Sequence, residues 1–274
     1  MKRDLPIINI HGTDFWVNIE KLELTEKVNE KNVIPFGYMR DVSGGYEFDY
    51  GLESRNIRNI WTDEESVRVT IPPLVELDPI GISQKYNVPM EQLKGKTDFE
   101  IMVDQQAFDL RVNKGVLPAI DIAGDIFYVV LDKERLIPKD NPASEGIPLP
   151  SFAQYDQVLG ENVFAYDPKK REITELDYLK ITEIPKNLIA IRLPFSFTLD
   201  PVGWNLITNR DVKFGLKTSN LKMQFNAPQI SWEKTDLPDI IKENKEELRQ
   251  KQTERMKQSS MKPIINKQKR GRRL

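Results

Sequence analysis

The chain has 274 residues, of which 39% are hydrophobic and 30% charged. That is enough apolar material for packed cores and too much for global disorder. It has no cysteine and one histidine, which excludes disulfides, thiolate metal sites, a cysteine nucleophile and histidine-rich metal centres. The net charge of −2 conceals an asymmetry: residues 242–274 carry twelve basic and four acidic side chains, +8, and residues 1–241 carry −10.

A disulfide-free chain of this length reads as cytoplasmic. Met1–Asp4 is charged, but Pro6, Asn9, His11 and Asp14 interrupt any apolar stretch behind it, so no secretory signal is expected. No window reaches the ~18 apolar residues of a membrane span, so no membrane partner is expected either.

The first segment in chain order also carries the main internal signal. LPIINIHGTDFWV (5–17) matches LPAIDIAGDIFYV (117–129) at Leu5, Pro6, Ile8, Ile10, Gly12, Phe15 and Val17. In each copy, alternating apolar residues flank a turn around Gly12 or Gly124, which predicts a β-hairpin with one buried face. The register continues through Lys21/Lys133, Leu24/Leu136 and Asn29/Asn141, then Ile34-Pro35 against Ile147-Pro148. Past an insertion, Phe48, Tyr50 and Ile57 meet Phe164, Tyr166 and Ile173. Val67–Ile71 and Ile189–Leu193 read as two further strands, each stopped by proline.

Asp-Pro-x-Gly follows in both copies, as Asp78, Pro79 and Gly81, then Asp200, Pro201 and Gly203. These residues suit a type I turn, or an aspartate capping a helix with proline at its first position. In either case they read as turn-formers and not as active-site carboxylates. Insertions between the copies fall in Asn/Gly/Pro/Ser-rich stretches, where loops accept extra residues at small cost.

The ordered matches predict a tandem duplication of an α+β, β-rich unit over 1–112 and 113–235, mostly antiparallel because the connections are short. Five to seven strands and one short helix are expected per unit. In the less similar ends, strands are expected over Asp98–Val103, Phe108–Val112, Lys213–Leu216 and Leu221–Phe225. Residues 236–274 form a basic tail. Asp236–Lys257 is helix-permissive and docks through Ile240 and Ile241, then solvent surrounds it. From Ser259 on, disorder is expected.

Catalytic signals are weak. His11 lies in a turn, its counterpart is Ala123, and no G-x-S-x-G elbow exists. Gly95-Lys96-Thr97 ends like a phosphate loop, but Met90 stands where the earlier glycine is required, so it reads as a turn entering a strand. Asp63-Glu64-Glu65 and Asp98/Glu100 are acidic pairs that read as solvated loops. No D-x-D-x-D-G calcium loop is present, and no catalytic, metal or cofactor residue is assigned. Trp16, Phe48, Tyr50, Tyr128, Phe164 and Tyr166 sit at strand spacing and read as core. Lys267, Lys269, Arg270, Arg272 and Arg273, five cations in the last eight residues, are the candidate contact to nucleic acid or an acidic partner.

The LPxIxIxGxxFxV hairpin, the Tyr-x-Phe-x-Tyr strand, IPPLVELDPIG and KTDLPDIIKENKEE together resemble proteins of Bacteroidota genomes associated with conjugative or mobilisable elements. That family has no assigned activity, so the resemblance implies no catalytic residues. It implies an intracellular accessory protein near DNA-handling machinery.

The leading expectation is a non-enzymatic binding or adaptor protein whose basic tail meets nucleic acid or an acidic protein. One rival is a carboxylate-dependent hydrolase with its site in a groove between the repeats. Another is a structural subunit of a larger assembly.

Overall fold

The computed structural model describes residues 3–150, 159 and 162–260. The fold is α+β, and its sheets are largely antiparallel. The first half opens with β1 (Ile7–Ile10), β2 (Thr13–Asn18), β3 (Glu23–Glu26) and β4 (Val33–Pro35). It continues with β5 (Arg40–Val42), β6 (Gly45–Gly51) and β7 (Ser66–Ile71). Four helices follow: α1 (Leu74–Leu77), α2 (Pro79–Tyr86), α3 (Asp98–Met102) and α4 (Gln105–Phe108).

The second half has β8 (Ala119–Ile122), β9 (Asp125–Val130), β10 (Arg135–Pro138) and β11 (Ile147–Pro148). Next come β12 (Val163–Asp167), β13 (Glu172–Ile173) and β14 (Ile189–Arg192). Then come α5 (Ser196–Leu199), α6 (Pro201–Ile207), α7 (Leu216–Ser219), β15 (Gln224–Ala227), β16 (Gln229–Ile230) and α8 (Leu237–Ser260). The strand orders are β1-β2-β3-β4, β5-β6-β7, β11-β10-β9-β8-β15 and β13-β12-β14-β16.

The chain divides into two compact units. One comprises Met1–Ile120, Phe127–Arg135 and Ser196–Phe225; the other comprises Asp121–Ile126, Leu136–Phe195 and Asn226–Leu274. These lines do not fall at 112 and 235. The reason is visible in the first unit, where Val202, Leu216 and Leu221 pack against Val103 and Ala107. Burying those apolar side chains draws 196–225 to the α3–α4 region.

The main core of the first unit collects the inward faces of β1–β4, β6 and β7, with Ile19 just past β2: Ile10, Phe15, Val17, Ile19, Leu24, Ile34, Tyr46, Phe48, Tyr50 and Ile71. Period-2 alternation explains the pattern, since successive side chains point to opposite faces. Each buried aliphatic or aromatic side chain contributes roughly 1.5–3 kcal/mol of transfer free energy. The second unit builds its own cluster from Leu159, Val163, Ala190, Leu237 and Ile241. Leu237 and Ile241 are the docked first turns of α8, and Asn244 adds hydrogen bonds to the carbonyls of Tyr178 (2.9 Å) and Ile181 (2.8 Å). From Lys245 to Met256 the helix is exposed, as expected from its sparse apolar positions.

Four expected strands need correction. Asp98–Val103 is helix α3, because Thr97 and Glu100 form a capping box. The Thr97 hydroxyl accepts from the Glu100 N–H, and the Glu100 carboxylate accepts from the Thr97 N–H (2.8 Å). The Gly95-Lys96-Thr97 turn therefore enters a helix. Asp104 caps α4 in the same way (2.9 Å to Ala107 N–H), and the chain continues through a π-turn over Asp109–Asn113, so Phe108–Val112 is also helical. Lys213–Leu216 is a turn leading into α7, and the expected Leu221–Phe225 strand begins only at Gln224. One short helix per unit was too few, because Asp78, Thr97, Asp104 and Asp200 supply side-chain caps that start short helices where the apolar pattern is brief.

Buried tyrosines make stability sensitive to alkali. Burial pushes the Tyr86 and Tyr166 phenols up to about 12, with the Asp98 and Asp125 charges acting in the same direction. Tyr46 is raised as well, by burial first and then by Asp98. The folded state thus holds these protons more tightly than the unfolded chain, whose tyrosines titrate near 10. Their contribution is complete below pH 10 and is lost as pH rises towards 12. Thermal midpoints measured from pH 8 to 12 should fall above pH 10. Ultraviolet titration should show a lagging fraction of the 8 tyrosines; a single unshifted titration would overturn this expectation.

Candidate protein-binding loop

Gly12 and Gly124 occupy the two hairpin turns with φ of +82° and +93°, preceded by His11 at +45° and Ala123 at +56°. Glycine is the residue that adopts this region without strain. In both turns the side chain three residues earlier accepts the glycine N–H: Asn9 at 3.1 Å and Asp121 at 2.8 Å. His11 stacks over the Tyr50 ring, 6.1 Å between centroids.

Asp78 and Asp200 cap α2 and α6, accepting from the N–H of Gly81 (2.9 Å) and Gly203 (2.8 Å), with Pro79 and Pro201 opening each helix. Each aspartate also holds an arginine that sequence reading did not connect to it. Arg3 bonds Asp78 in bidentate fashion at 2.6 and 2.5 Å. Arg111 reaches Asp200 through Nε (3.0 Å) and Nη2 (2.8 Å). A Cβ on Gly81 or Gly203 would lie 2.2 Å from the carboxylate, so glycine is what lets the clasp close. Both carboxylates are buried and fully engaged, which fits a structural role.

Of the acidic residues expected in solvated loops, Asp63 and Glu65 are exposed, whereas Asp98 is buried and Glu64 and Glu100 are held by hydrogen bonds. Asp98 accepts from Tyr46 Oη (2.6 Å) and from the N–H groups of Leu74 (2.7 Å) and Val75 (2.8 Å), at the start of α1. Glu64 braces the loop between β6 and β7.

That loop is the most distinctive surface feature. Glu64 accepts from the Ser54 N–H and hydroxyl, both at 3.0 Å, and from the Thr62 hydroxyl at 3.4 Å. The Ser54 N–H, foremost among these, holds its carboxyl below the usual carboxylate range. Gly51 permits this, since a Cβ there would sit 2.4 Å from the Glu64 carboxylate. At the loop base, buried Glu26 pairs with Arg55 (2.9 Å) and Asn32 (2.9 Å), and Asn32 also reaches the Arg55 carbonyl (3.0 Å). The hydrogen bond from Asn32, followed by Arg55, keeps the Glu26 carboxyl ionised against its burial. Ile57 bridges to Tyr50, and Asn56 bonds Asn32 (2.6 Å) and the Val33 carbonyl (3.0 Å).

At the tip, Asn59 accepts from the Trp61 N–H (3.0 Å) through its side chain and from the Thr62 hydroxyl (2.9 Å) through its carbonyl. The braced tip displays Ile60, 80% exposed, and Trp61, 87% exposed. Single exposed apolar residues are ordinary, but here two large ones stand side by side on an ordered loop, and tryptophan is among the residue types enriched in interface hot spots. The acids and Ile57 of this loop stand out in the sequence; its tip does not. The signal that could have found the tip was Ile60-Trp61 lying outside either strand's alternation.

Lys267, Lys269, Arg270, Arg272 and Arg273 lie outside the described residues; of the stretch expected to be disordered from Ser259 on, Ser259 and Ser260 instead close helix α8, and the rest lies outside the described residues. Among the described residues no group of three or more His, Asp or Glu side chains could hold a metal ion, and no helix is long and apolar enough to cross a membrane. No protein-family model matches the chain, and no curated protein or solved structure is similar to it.

Proposed function

We propose that the protein is a non-enzymatic adaptor. It engages a protein partner through the Ile60–Trp61 tip, and nucleic acid or an acidic partner through its basic tail. The carrying observation is the tip itself: two large apolar side chains held in solvent by a loop that Glu64, Asn59 and Asn56 brace with hydrogen bonds. A loop ordered before binding loses less conformational entropy on association, so more of the contact energy becomes affinity. The tail reading rests on the five cations between Lys267 and Arg273, and on a preceding helix that is docked only at its start.

The same reading treats the chain as duplicated. Its support is recurrence of local hydrogen bonds at matched positions: Val17 to Pro6 and Val129 to Pro118 (both 2.9 Å), and Arg55 to Gly51 (3.0 Å) and Arg171 to Asp167 (2.8 Å). The arginine–aspartate–glycine clasp recurs as well. A cytoplasmic accessory role near DNA-handling machinery accords with the family resemblance.

Two measurements test this. Affinity capture from the native host should retain a protein with the wild-type chain that the Ile60→Ser/Trp61→Ala variant loses, since hot-spot truncation costs about 2 kcal/mol or more, roughly thirtyfold. The variant's thermal midpoint should barely move, because both side chains are exposed. Separately, duplex DNA binding should weaken by about 500-fold between 50 and 200 mM salt for roughly five neutralised phosphates, and should vanish without residues 259–274. Identical capture by both chains removes the tip from the reading, and equal DNA binding by the full and shortened chains removes the tail.

A further inference from the structure

Two of the sheets share one ladder. In β6–β7, Tyr50 faces Val67, Phe48 faces Val69 and Asp49 faces Arg68. In β12–β14, Tyr166 faces Ile189, Phe164 faces Ile191 and Ala165 faces Ala190. The register and the types of the inward residues are the same.

Their outer edges differ. Beyond β14 lies β16, which pairs Ala190 with Ile230 and Ile191 with Gln229, and the Arg192 N–H donates to the Pro228 carbonyl at 3.0 Å. Beyond β7 no strand pairs among the described residues. Leu193 donates to Asn162 (3.0 Å) and Leu52 to Glu65 (3.0 Å). The alternation of an antiparallel ladder therefore turns the N–H and C=O groups of Arg68 and Thr70 outward, as it does those of Ala190 and Arg192. Both residues are exposed, and the half-buried Val67 and Val69 between and beside them already pack on the core. Nothing among the described residues bonds these four backbone groups. An open edge of this kind is a template for another strand.

We propose that the outer edge of β7 is a docking site for an extended, proline-bearing segment of a partner protein, which adds a strand there as Gln229–Ile230 does beside β14. The occupant's chemistry follows from that precedent: a proline whose carbonyl accepts the Thr70 N–H, and a residue two positions later that exchanges hydrogen bonds with Arg68. That second residue is polar where β16 has Ile230. Ile230 lies over buried Ala190, whereas its counterpart here would lie beside Arg68, which is exposed and paired with Asp49 (3.1 Å). This site is separate from the Ile60–Trp61 tip and goes beyond it.

The probe is a labelled synthetic peptide of Lys222–Glu233 with glutamine in place of Ile230, added to the full-length protein. Fluorescence anisotropy should show saturable binding. Amide hydrogen exchange should slow at Arg68 and Thr70 by about tenfold or more, with Ala190 and Arg192 unchanged. Thr70→Pro removes the outward N–H at an edge position that tolerates proline, and should weaken binding at least tenfold. N-methylation of the peptide at position 230 should do the same without altering the protein, which covers the case of a misfolded variant. The proposal is overturned by absent saturable binding, by binding that survives both changes, or by protection at Ala190 in place of Arg68. It is equally overturned if Arg68 and Thr70 are already slow to exchange without peptide, because the edge is then filled by a second copy or by the chain itself. Ile60→Ser/Trp61→Ala should bind the peptide normally, so failure of either site is read independently.

Discussion

Asp200→Ala should lower the unfolding free energy by about 3–5 kcal/mol, the range for breaking a buried ion pair from one side. Asp200 is 0% exposed and takes three hydrogen bonds from Arg111 and one from Gly203. The loss has two parts. Removing the cap of α6 costs about 1 kcal/mol. The larger part is Arg111, whose side chain is 12% exposed and is left charged without a partner. Asp78→Ala should cost less, because the Arg3 side chain is 27% exposed and can recover water. Arg111→Met/Asp200→Asn keeps an acceptor at the cap and removes both charges, so the double variant should be more stable than Asp200→Ala alone. Urea unfolding at constant slope checks the order. Equal midpoints for Asp78→Ala and Asp200→Ala would show that arginine burial does not set the cost.

The second large effect should come from Asp98→Ala, also about 3–5 kcal/mol. One carboxylate serves three donors on two segments: the Tyr46 hydroxyl in β6 and the adjacent amides of Leu74 and Val75 in α1. Alanine orphans all three in a site where Asp98 is itself buried, and each buried donor without an acceptor costs about 1–3 kcal/mol. Tyr46→Phe removes only one donor and leaves the other two bonds intact, so about 1–1.5 kcal/mol is expected. A cost for Asp98→Ala no greater than that for Tyr46→Phe would mean that water replaces the carboxylate at α1. Lys217 lies against the same tyrosine, 4.1 Å from its ring centroid, and pairs with Asp41 at 2.5 Å. It therefore offers a neighbouring site for a coupling measurement.

The hairpins and the Tyr-x-Phe-x-Tyr strand were legible because period-2 alternation and a glycine turn are local properties of the chain. Asp78 and Asp200 were legible as caps or turns for the same reason. Their arginine partners were not, being 75 and 89 residues away in sequence. Nothing in Arg3 or Arg111 distinguishes it from the other cations until the fold brings it to a buried carboxylate. Asp98–Val103 was misread because its apolar residues suit a strand, while the deciding interaction is the Thr97–Glu100 capping box, worth more locally than propensity. The exposed Ile60–Trp61 tip was missed because its significance depends on exposure, and sequence shows only that Trp61 sits in a polar loop. The braces of Glu64 to Ser54 and Thr62 span ten and two positions, which single-sequence patterns do not reveal.

The paired ladders of β6–β7 and β12–β14 also separate two kinds of information. The tyrosine, phenylalanine and branched aliphatic side chains on one face are common to both and set which residue meets which. The opposite face is Asp49 and Arg68 in one sheet and Ala165 and Ala190 in the other, wet in the first and dry in the second. The backbone scaffold therefore does not dictate its own outer coating. Two side-chain pairs decide whether such a sheet ends as an exterior wall or as an inner partition, so this scaffold can acquire or shed a covering layer without redrawing its hydrogen-bond pattern.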